Sequence, residues 1–321
     1  MFRFGAVAIL CLLCNLTSSA LARVDALTAT AHTTDADRFA AVFDAAHGKP
    51  TAQALQKGYL DPGSRGVEIF TPNRIRSADN LAATVAAHAE LYRRAVDICL
   101  PIAKESSAEL RAIYLALEGL LGEVDLPEVY IVFGANNSGG TAAPGAQVLG
   151  LEVLCRLTET EEAMRKLLRT FYAHETVHAL QAPEDAEVFR ADPLLFAVMR
   201  EGSADFIARL VTGKVPDRAR DAWARPREAF VWREFLKDRK ALLGMTEEQI
   251  HEASSPLHRW IANAGRPPEG WPGELGYWLG MRICMAYVDA AEDKRAAVKT
   301  LLAATDYRPI LEKSGYAESF R

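Results

Sequence analysis

Five consecutive residues carry the clearest chemical signal in the chain, the run His174-Glu175-Thr176-Val177-His178. Side chains four residues apart share one face of an α-helix, so His174 and His178 can present two imidazole nitrogens to one metal ion. Glu175 is directed off the line between them, where a general base beside a metal ion belongs. The run therefore predicts a catalytic metal site with zinc (Zn2+) as the metal and Glu175 as the base.

The segment before this run is typical of an amphipathic helix. Thr158 followed three residues later by Glu161 has the form of a capping box, which predicts that the helix begins there. Pro183 ends the pattern. The apolar positions that recur at helical spacing are Met164, Leu167, Leu168, Phe171, Val177 and Leu180. The two histidines are therefore expected near the C-terminal end of a helix.

A catalytic zinc ion usually takes three protein ligands, and the sequence offers two candidates for the third. Glu184 would require the chain to reverse within a few residues, yet Gln181 stands where a glycine would ease that turn. Glu201 requires only a second helix, whose start the pair Asp192-Pro193 predicts as N-cap and first helical position. The sequence therefore favours Glu201 over Glu184.

A further carboxylate stands four residues after Glu201 on the same predicted helix. Asp205 can accept the second ring N–H of a ligating histidine and fix its tautomer. The alternative interpretation is an exposed helix face, although two acids at this spacing repel each other there. We expect His174, His178 and Glu201 to bind the metal, with Asp205 behind one histidine.

Peptide-bond hydrolysis also needs a donor for the oxyanion that forms. Tyr277 is the first candidate, and His251, His258 and Arg282 follow it. The alternative is that Tyr277 is an aromatic residue of the core with a satisfied hydroxyl.

These residues resemble two groups of proteins. The His-Glu-x-x-His run with a later Glu-x-x-x-Asp is similar to the thermolysin-like gluzincin metallopeptidases. The resemblance implies that His174, His178 and Glu201 bind zinc, that Glu175 is the base and that Asp205 supports a histidine. It covers only the two predicted metal-binding helices.

A broader resemblance is to a bacterial family of predicted zinc-dependent proteases related to gliding-motility lipoproteins. It implies a zinc protease but leaves its substrate open. The stretches that carry it are residues 132–134, 137–141, 200–207, 273–280 and 311–316.

The N-terminus predicts export. Arg3 is followed by an apolar stretch, residues 4–16, and by the small-x-small sequence of residues 20–22. This pattern predicts a signal peptide over residues 1–22 that is cleaved after Ala22, and a periplasmic or secreted mature protein. A lipoprotein is less favoured because Leu13, before Cys14, is not small. The apolar stretch is short for a bilayer crossing, so we expect no transmembrane segment in the mature chain.

Cysteine content and charge exclude several classes of protein. Cys99, Cys155 and Cys284 would remain after cleavage, so one disulfide is possible and one thiol would be left over. Their apolar surroundings indicate buried residues, and no C-x-x-C spacing marks them as zinc ligands. The formal net charge of −5 gives no sign of nucleic-acid binding.

The predicted fold class is α+β and mostly helical, zincin-like, with a small antiparallel sheet beside the active-site helix. Residues 23–125 predict an N-terminal helical region and residues 126–321 a zincin-like metallopeptidase region, although 23–321 could form one domain. Residues 129–133 and 147–154 are expected to form an antiparallel strand pair across a glycine-rich loop. An extended peptide could add to its edge, or the loop could be a plain connection.

Together these observations predict a zinc-dependent peptide-bond hydrolase of the cell envelope or one that is secreted, acting on a peptide or protein. The alternative is a zinc-stabilised, non-catalytic protein of envelope binding or assembly. A third possibility is hydrolysis of a non-peptide amide in the cell wall.

Overall fold

The computed structural model describes residues 24–321, so the predicted signal peptide and its cleavage site lie outside the described residues. Within this range the protein is mostly helical with one small sheet, which confirms the α+β class. The strands are β1 (Ala31–His32), β2 (Glu128–Val132), β3 (Gly140–Ala143) and β4 (Ala146–Gly150).

Seventeen α-helices of the described chain surround this sheet, and most of them are short. They are α1 (Thr34–Ala45), α2 (Ala52–Leu55), α3 (Arg65–Phe70), α4 (Ala78–Ala87), α5 (Ala89–Arg94), α6 (Leu100–Lys104), α7 (Ser107–Leu121), α8 (Leu151–Arg156), α9 (Glu161–Leu180), α10 (Ala186–Ala191), α11 (Pro193–Thr212), α12 (Arg218–Ala224), α13 (Glu228–Leu242), α14 (Glu247–His251), α15 (Leu275–Ala290), α16 (Lys294–Ala303) and α17 (Arg308–Lys313). Single π-helical turns cover Gln56–Leu60, Thr71–Ile75 and Ala95–Cys99, and 3-10 turns cover Arg225–Arg227, Pro256–Arg259 and Tyr316–Phe320.

The sheet is mixed rather than antiparallel. Its strand order is β1-β2-β4-β3, with β1 and β4 both parallel to β2 and only β3 antiparallel to β4. The predicted antiparallel pairing of residues 129–133 with 147–154 is therefore wrong. The second of these strands is also shorter than expected, because the chain turns into α8 at Leu151.

A hairpin turn inside the region predicted as a loop explains this topology. Pro144 and Gly145 connect β3 to β4, with Gly145 at a φ of 69°, a left-handed conformation that glycine adopts readily. Because β4 pairs with β3 across this tight hairpin, it inserts between β3 and β2 and runs parallel to β2. The Pro-Gly pair was the sequence signal for the hairpin, inside the region predicted as a loop.

Helix α9 packs against the β3 and β4 side of the sheet, where the Gln147 amide donates to the Thr176 hydroxyl at 2.6 Å. The helix begins two residues later than the capping-box pattern predicted. Thr160, not Thr158, is its N-cap and accepts from the Ala163 N–H. Thr158 is buried and its hydroxyl faces the carbonyl oxygens of α8.

The second predicted metal-binding helix exists as expected, with Asp192 at the N-cap and Pro193 in the first turn of α11. Its most extensive packing is against α15, and the two backbones touch. A Cβ atom on Gly280 would lie 2.0 Å from the Val198 carbonyl oxygen, and one on Gly202 would lie 2.3 Å from Gly280. Since Gly202 follows Glu201 directly, this crossing sets the position of the predicted third ligand.

The N-terminal region consists mostly of short helices. Residues 78–99 form α4, α5 and a π-helical turn, because His88 leaves the helical conformation between α4 and α5. Helix α7 ends at Gly122. The buried apolar core extends from Ala26 to Tyr316, and the domain boundaries stay a prediction.

Two of the three cysteines of the described chain form a disulfide. Cys99 and Cys155 are bonded across 56 positions of sequence, and Cys284 is buried and free. The disulfide joins the π-helical turn Ala95–Cys99 to α8, the helix that directly follows β4. Disulfides persist in oxidising compartments, which agrees with the predicted export. Among the described helices, none combines the length and apolarity that crossing a bilayer demands.

The contact between α11 and α15 leads to a stability prediction. Gly280→Ala should lower the free energy of unfolding by about 3 kcal/mol, because its methyl group has no space beside the backbone of α11. Gly119→Ala is the matched control, since it lies exposed in α7 with no neighbouring atom within 4 Å of a new Cβ. The control should raise stability by up to about 1 kcal/mol. Urea unfolding of both variants measures this, and equal effects would contradict the close helix contact.

Candidate metal centre

Three potential ligand atoms from two helices meet at one point. The Nε2 atoms of His174 and His178 are 3.0 Å apart, and Glu201 Oε2 lies 3.3 Å from the first and 3.2 Å from the second. In a tetrahedral zinc site with metal–nitrogen distances near 2.05 Å, neighbouring ligand atoms are about 3.3 Å apart. The triangle in this protein therefore has the size of one face of a zinc coordination tetrahedron.

Asp205 fixes the tautomer of the first histidine, as the sequence predicts. Its Oδ1 lies 2.9 Å from His174 Nδ1, and a carboxylate oxygen can only accept there. The ring must therefore carry a proton on Nδ1, so that in the neutral ring the Nε2 lone pair is directed at the other two ligand atoms.

Gln181 does the same for His178, a role that the sequence did not reveal. Its Oε1 lies 2.8 Å from His178 Nδ1, while its Nε2 donates to the Arg200 carbonyl oxygen at 2.8 Å. Because a carbonyl oxygen can only accept, the orientation of the Gln181 amide is defined, and its oxygen must face the histidine. The residue that argued against a tight turn at the sequence level is thus a partner of the second histidine.

These contacts test whether the residues fit a metal ion. With both histidines neutral, each Nε2 presents a lone pair towards the other and towards the Glu201 carboxylate. Three electron-rich atoms at this separation repel one another unless a cation lies between them. The donor set of two imidazoles and one carboxylate is the set that zinc accepts.

The electrostatics of the metal-free site agree with that fit. Burial alone would lower the pKa of His174, but Asp205 and Glu201 outweigh it and raise the pKa well above its usual value. Burial would raise the pKa of Glu201, yet His178 and His174 hold it well below its usual range. The site therefore favours positive charge at its centre.

Glu175 is buried beside this triangle without belonging to it. Burial raises the pKa of its carboxyl, and the nearby His178 and His174 lower it in part. The side chain lies against the edge strand β3, where a Cβ atom on Gly140 would be 2.6 Å from Glu175 Oε1. Only glycine leaves room for the carboxylate at this place.

Tyr277 lies beside the ligands, in the first turn of α15. Its ring is parallel to the His174 ring with centroids 5.7 Å apart, and its hydroxyl faces the Glu201 carboxylate. Burial and the neighbouring Glu201 raise the pKa of this phenol well above its usual value, so it stays a neutral donor.

Arg220 connects the site to the loop before α15, a role that no sequence pattern indicates. Its guanidinium reaches Asp205 Oδ2 at 3.5 Å and donates to the Gly273 carbonyl oxygen at 2.9 Å. It also lies over the Tyr277 ring, 5.2 Å from the centroid. The loop of residues 265–273 is thereby tied to Asp205, the partner of His174.

The other sequence candidates lie elsewhere. Glu184 is exposed and pairs with Arg200 at 3.2 Å, so the structure brings Glu201 and not Glu184 to the histidines. Arg282 is held by Glu228, and the ring of His251 stacks on Phe189. Within the described residues, no contact joins His251, His258 or Arg282 to the three ligand atoms.

Comparison with known proteins gives one partial match. The sequence profile of the family described as gliding motility protein GldB matches residues 216–318. No curated protein and no solved structure gives a significant match to the chain. The predicted relation to gliding-motility lipoproteins is supported over this part of the chain. The matched range includes Arg220 and Tyr277, but His174, His178 and Glu201 lie outside it.

The partners of the two histidines should govern zinc affinity. Asp205→Ala and Gln181→Ala are each expected to weaken zinc binding about 10- to 100-fold, because the Nδ1 proton of one ligand loses its acceptor. Glu201→Ala should lose stoichiometric zinc. Titration against a competing chelator measures all three variants. Glu184→Ala is the control and should keep its zinc. If this variant alone lost zinc, Glu184 rather than Glu201 would be the third ligand.

A buried acid anchors the loop that leads from β2 to β3. Glu152 is fully buried in α8, and its carboxylate oxygens accept from the Gly134 N–H at 3.0 Å and the Asn136 N–H at 3.1 Å. Burial raises its pKa from 4.5 to about 7, although these hydrogen bonds favour the charged form.

This shift predicts a pH dependence of stability. Between pH 4.5 and about 7 the folded protein keeps a proton on Glu152 that the unfolded chain has released, so stability falls as the pH rises. Relative to Glu152→Gln, which does not titrate, the wild type should lose about 3 kcal/mol across this window. Urea unfolding of both proteins at several pH values measures the difference, and a constant difference would rule out the shift.

Proposed function

We propose that this protein is a zinc-dependent peptide-bond hydrolase, a gluzincin-like metallopeptidase of the cell envelope or one that is secreted. The observation that carries the proposal is the convergence of His174, His178 and Glu201 with both Nδ1 protons held by acceptors. A buried carboxylate beside such a site has no structural task, since Glu175 contributes no ligand atom to it. We assign it the role of general base.

Zinc held by these ligands would supply Lewis acidity, polarising the scissile carbonyl and making water a better nucleophile. Glu175 would accept the proton of the attacking water and return it to the leaving amine. Its raised pKa suits this exchange, because a base must hold the proton before it passes it on. Tyr277 would donate a hydrogen bond to the developing oxyanion, since its raised pKa keeps the hydroxyl protonated.

The edge strand β3 gives a peptide substrate a place to bind. It has a pairing partner on one side only, and Gly140 in it lies against Glu175. An extended peptide that adds to this edge would form main-chain hydrogen bonds and pass in front of the general base.

The alternative function is envelope binding or assembly, in which zinc would stabilise the fold without catalysis. The match of residues 216–318 with a gliding-motility family agrees with a place in the envelope and does not separate the two functions. The ligand triangle is compatible with this alternative. The buried Glu175 is not needed for it, and this residue therefore separates the two functions.

Glu175→Gln is the decisive variant. It should keep one zinc ion per chain and lose peptide hydrolysis about 100- to 10,000-fold, because the amide cannot accept the proton. Zinc content is measured on the purified protein, and cleavage by mass spectrometry of a peptide library and of muropeptides.

Glu162→Gln is the matched control, since Glu162 is an exposed acid of the same helix that pairs with Lys166. It should change neither zinc content nor cleavage. Wild-type protein that holds zinc but cleaves no peptide and no muropeptide would support the binding function instead. Cleavage of muropeptides alone would assign a cell-wall amide as the substrate.

A further inference from the structure

Arg74 is held against the hairpin that carries the free edge of the sheet. Its Nη2 donates to Thr141 Oγ1 in β3 at 3.2 Å. Its carbonyl oxygen accepts from the Asn137 side-chain amide at 3.0 Å. The direction of a Cβ atom on Gly140 leads to Glu175 of α9, and side chains alternate along a strand, so Thr141 and the half-buried guanidinium that contacts it lie on the other face of β3.

This position is next to the proposed catalytic base. Thr141, which Arg74 contacts, follows Gly140, and the Gly140 backbone touches the Glu175 carboxylate. Arg74 therefore belongs to the rim of the site although it contacts none of the three ligand atoms.

The guanidinium of Arg74 is not saturated. It carries five N–H donors, and within the described part of the chain its side chain makes the single hydrogen bond to Thr141. No carboxylate of a described residue lies within ion-pairing distance of it. By contrast, Arg200 and Arg220, the other arginines near the site, are paired with Glu184 and Asp205.

A peptide paired with β3 would bring its own groups to Arg74. Side chains of an extended strand alternate between the two faces of a sheet. If one substrate residue faces α9 and the base, its neighbours face the side of Thr141 and Arg74. A carboxylate there would find a planar set of free donors, which binds carboxylates through two parallel hydrogen bonds.

We infer that Arg74 binds a carboxylate of the substrate beside the scissile bond, so that the protein selects acidic peptides. This inference rests on the proposed peptidase function. The carboxylate comes from an acidic side chain next to the scissile bond or from the C-terminus of the peptide, and the two sources share the same chemistry.

The test uses zinc-loaded Glu175→Gln protein and four pools of heptapeptides with otherwise neutral residues. The pools carry Glu or Gln at one position and end in a free carboxylate or a carboxamide. Affinity selection followed by mass spectrometry should show about tenfold or greater enrichment of a carboxylate pool. Enrichment of the Glu pools assigns a side chain, and enrichment of the free-carboxylate pools assigns the C-terminus.

Adding Arg74→Gln to this protein should abolish the enrichment, and Arg74→Lys should keep part of it. Arg65→Gln is the matched control, because Arg65 also reaches this hairpin but bonds to the Pro144 carbonyl oxygen in its turn rather than to Thr141. It should leave the enrichment intact. Zinc content and thermal unfolding of every variant show that the fold is preserved.

Equal enrichment with and without Arg74, the same loss in Arg65→Gln, or retention of no pool would overturn the inference. Cleavage of the same pools by the wild type is measured in parallel. Intact cleavage without carboxylate selection would refute only the role of Arg74. Selection without cleavage would refute the peptidase and leave carboxylate binding in place.

Discussion

The constraint on which the site depends is the mutual repulsion of three ligand atoms, the Nε2 atoms of two histidines and one carboxylate oxygen. The fold brings His174, His178 and Glu201 within 3.3 Å of one another and holds the Nδ1 protons of both histidines on Asp205 and Gln181. Such an arrangement costs free energy unless positive charge fills the centre. The packing of helices α9, α11 and α15 must offset that free-energy cost. Helices α11 and α15 pack so closely that their backbones are in contact at Gly202 and Gly280.

The parts of the site that depend on local geometry were predictable from sequence. The spacing of His174 and His178 needs only helical periodicity, and Glu201 with Asp205 needs only a second helix that starts at Pro193. Gln181 was not predictable, because its amide reaches His178 through a conformation at the end of α9 that no pattern encodes. The contact of Arg220 with Asp205 spans two helices, and no local pattern encodes it either.

The sheet shows the same division between local and long-range information. Strands β2 and β4 lie where the sequence predicts strands, β2 because β-branched and aromatic residues mark it. Strand β3 lies in the segment expected to be a loop, and β1 has only two residues. The pairing of β2 with β4 was mispredicted because neighbours along the chain were assumed to be neighbours in the sheet. The short hairpin at Pro144 and Gly145 overrides that assumption by giving β4 a closer partner in β3. Zincin-like architecture, domain boundaries and chemistry stay predictions, while the α+β class is confirmed.

The disulfide between Cys99 and Cys155 has a practical consequence for work on this protein. It closes a covalent ring that contains β2, β3 and β4, hence the strand against which Glu175 lies. A ring of this length restricts the unfolded chain by about 4 kcal/mol in the entropic description. Thiol reagents in a purification buffer would reduce this disulfide, and they would also compete with the protein for zinc. Material prepared in their presence would look inert for reasons unrelated to its substrate.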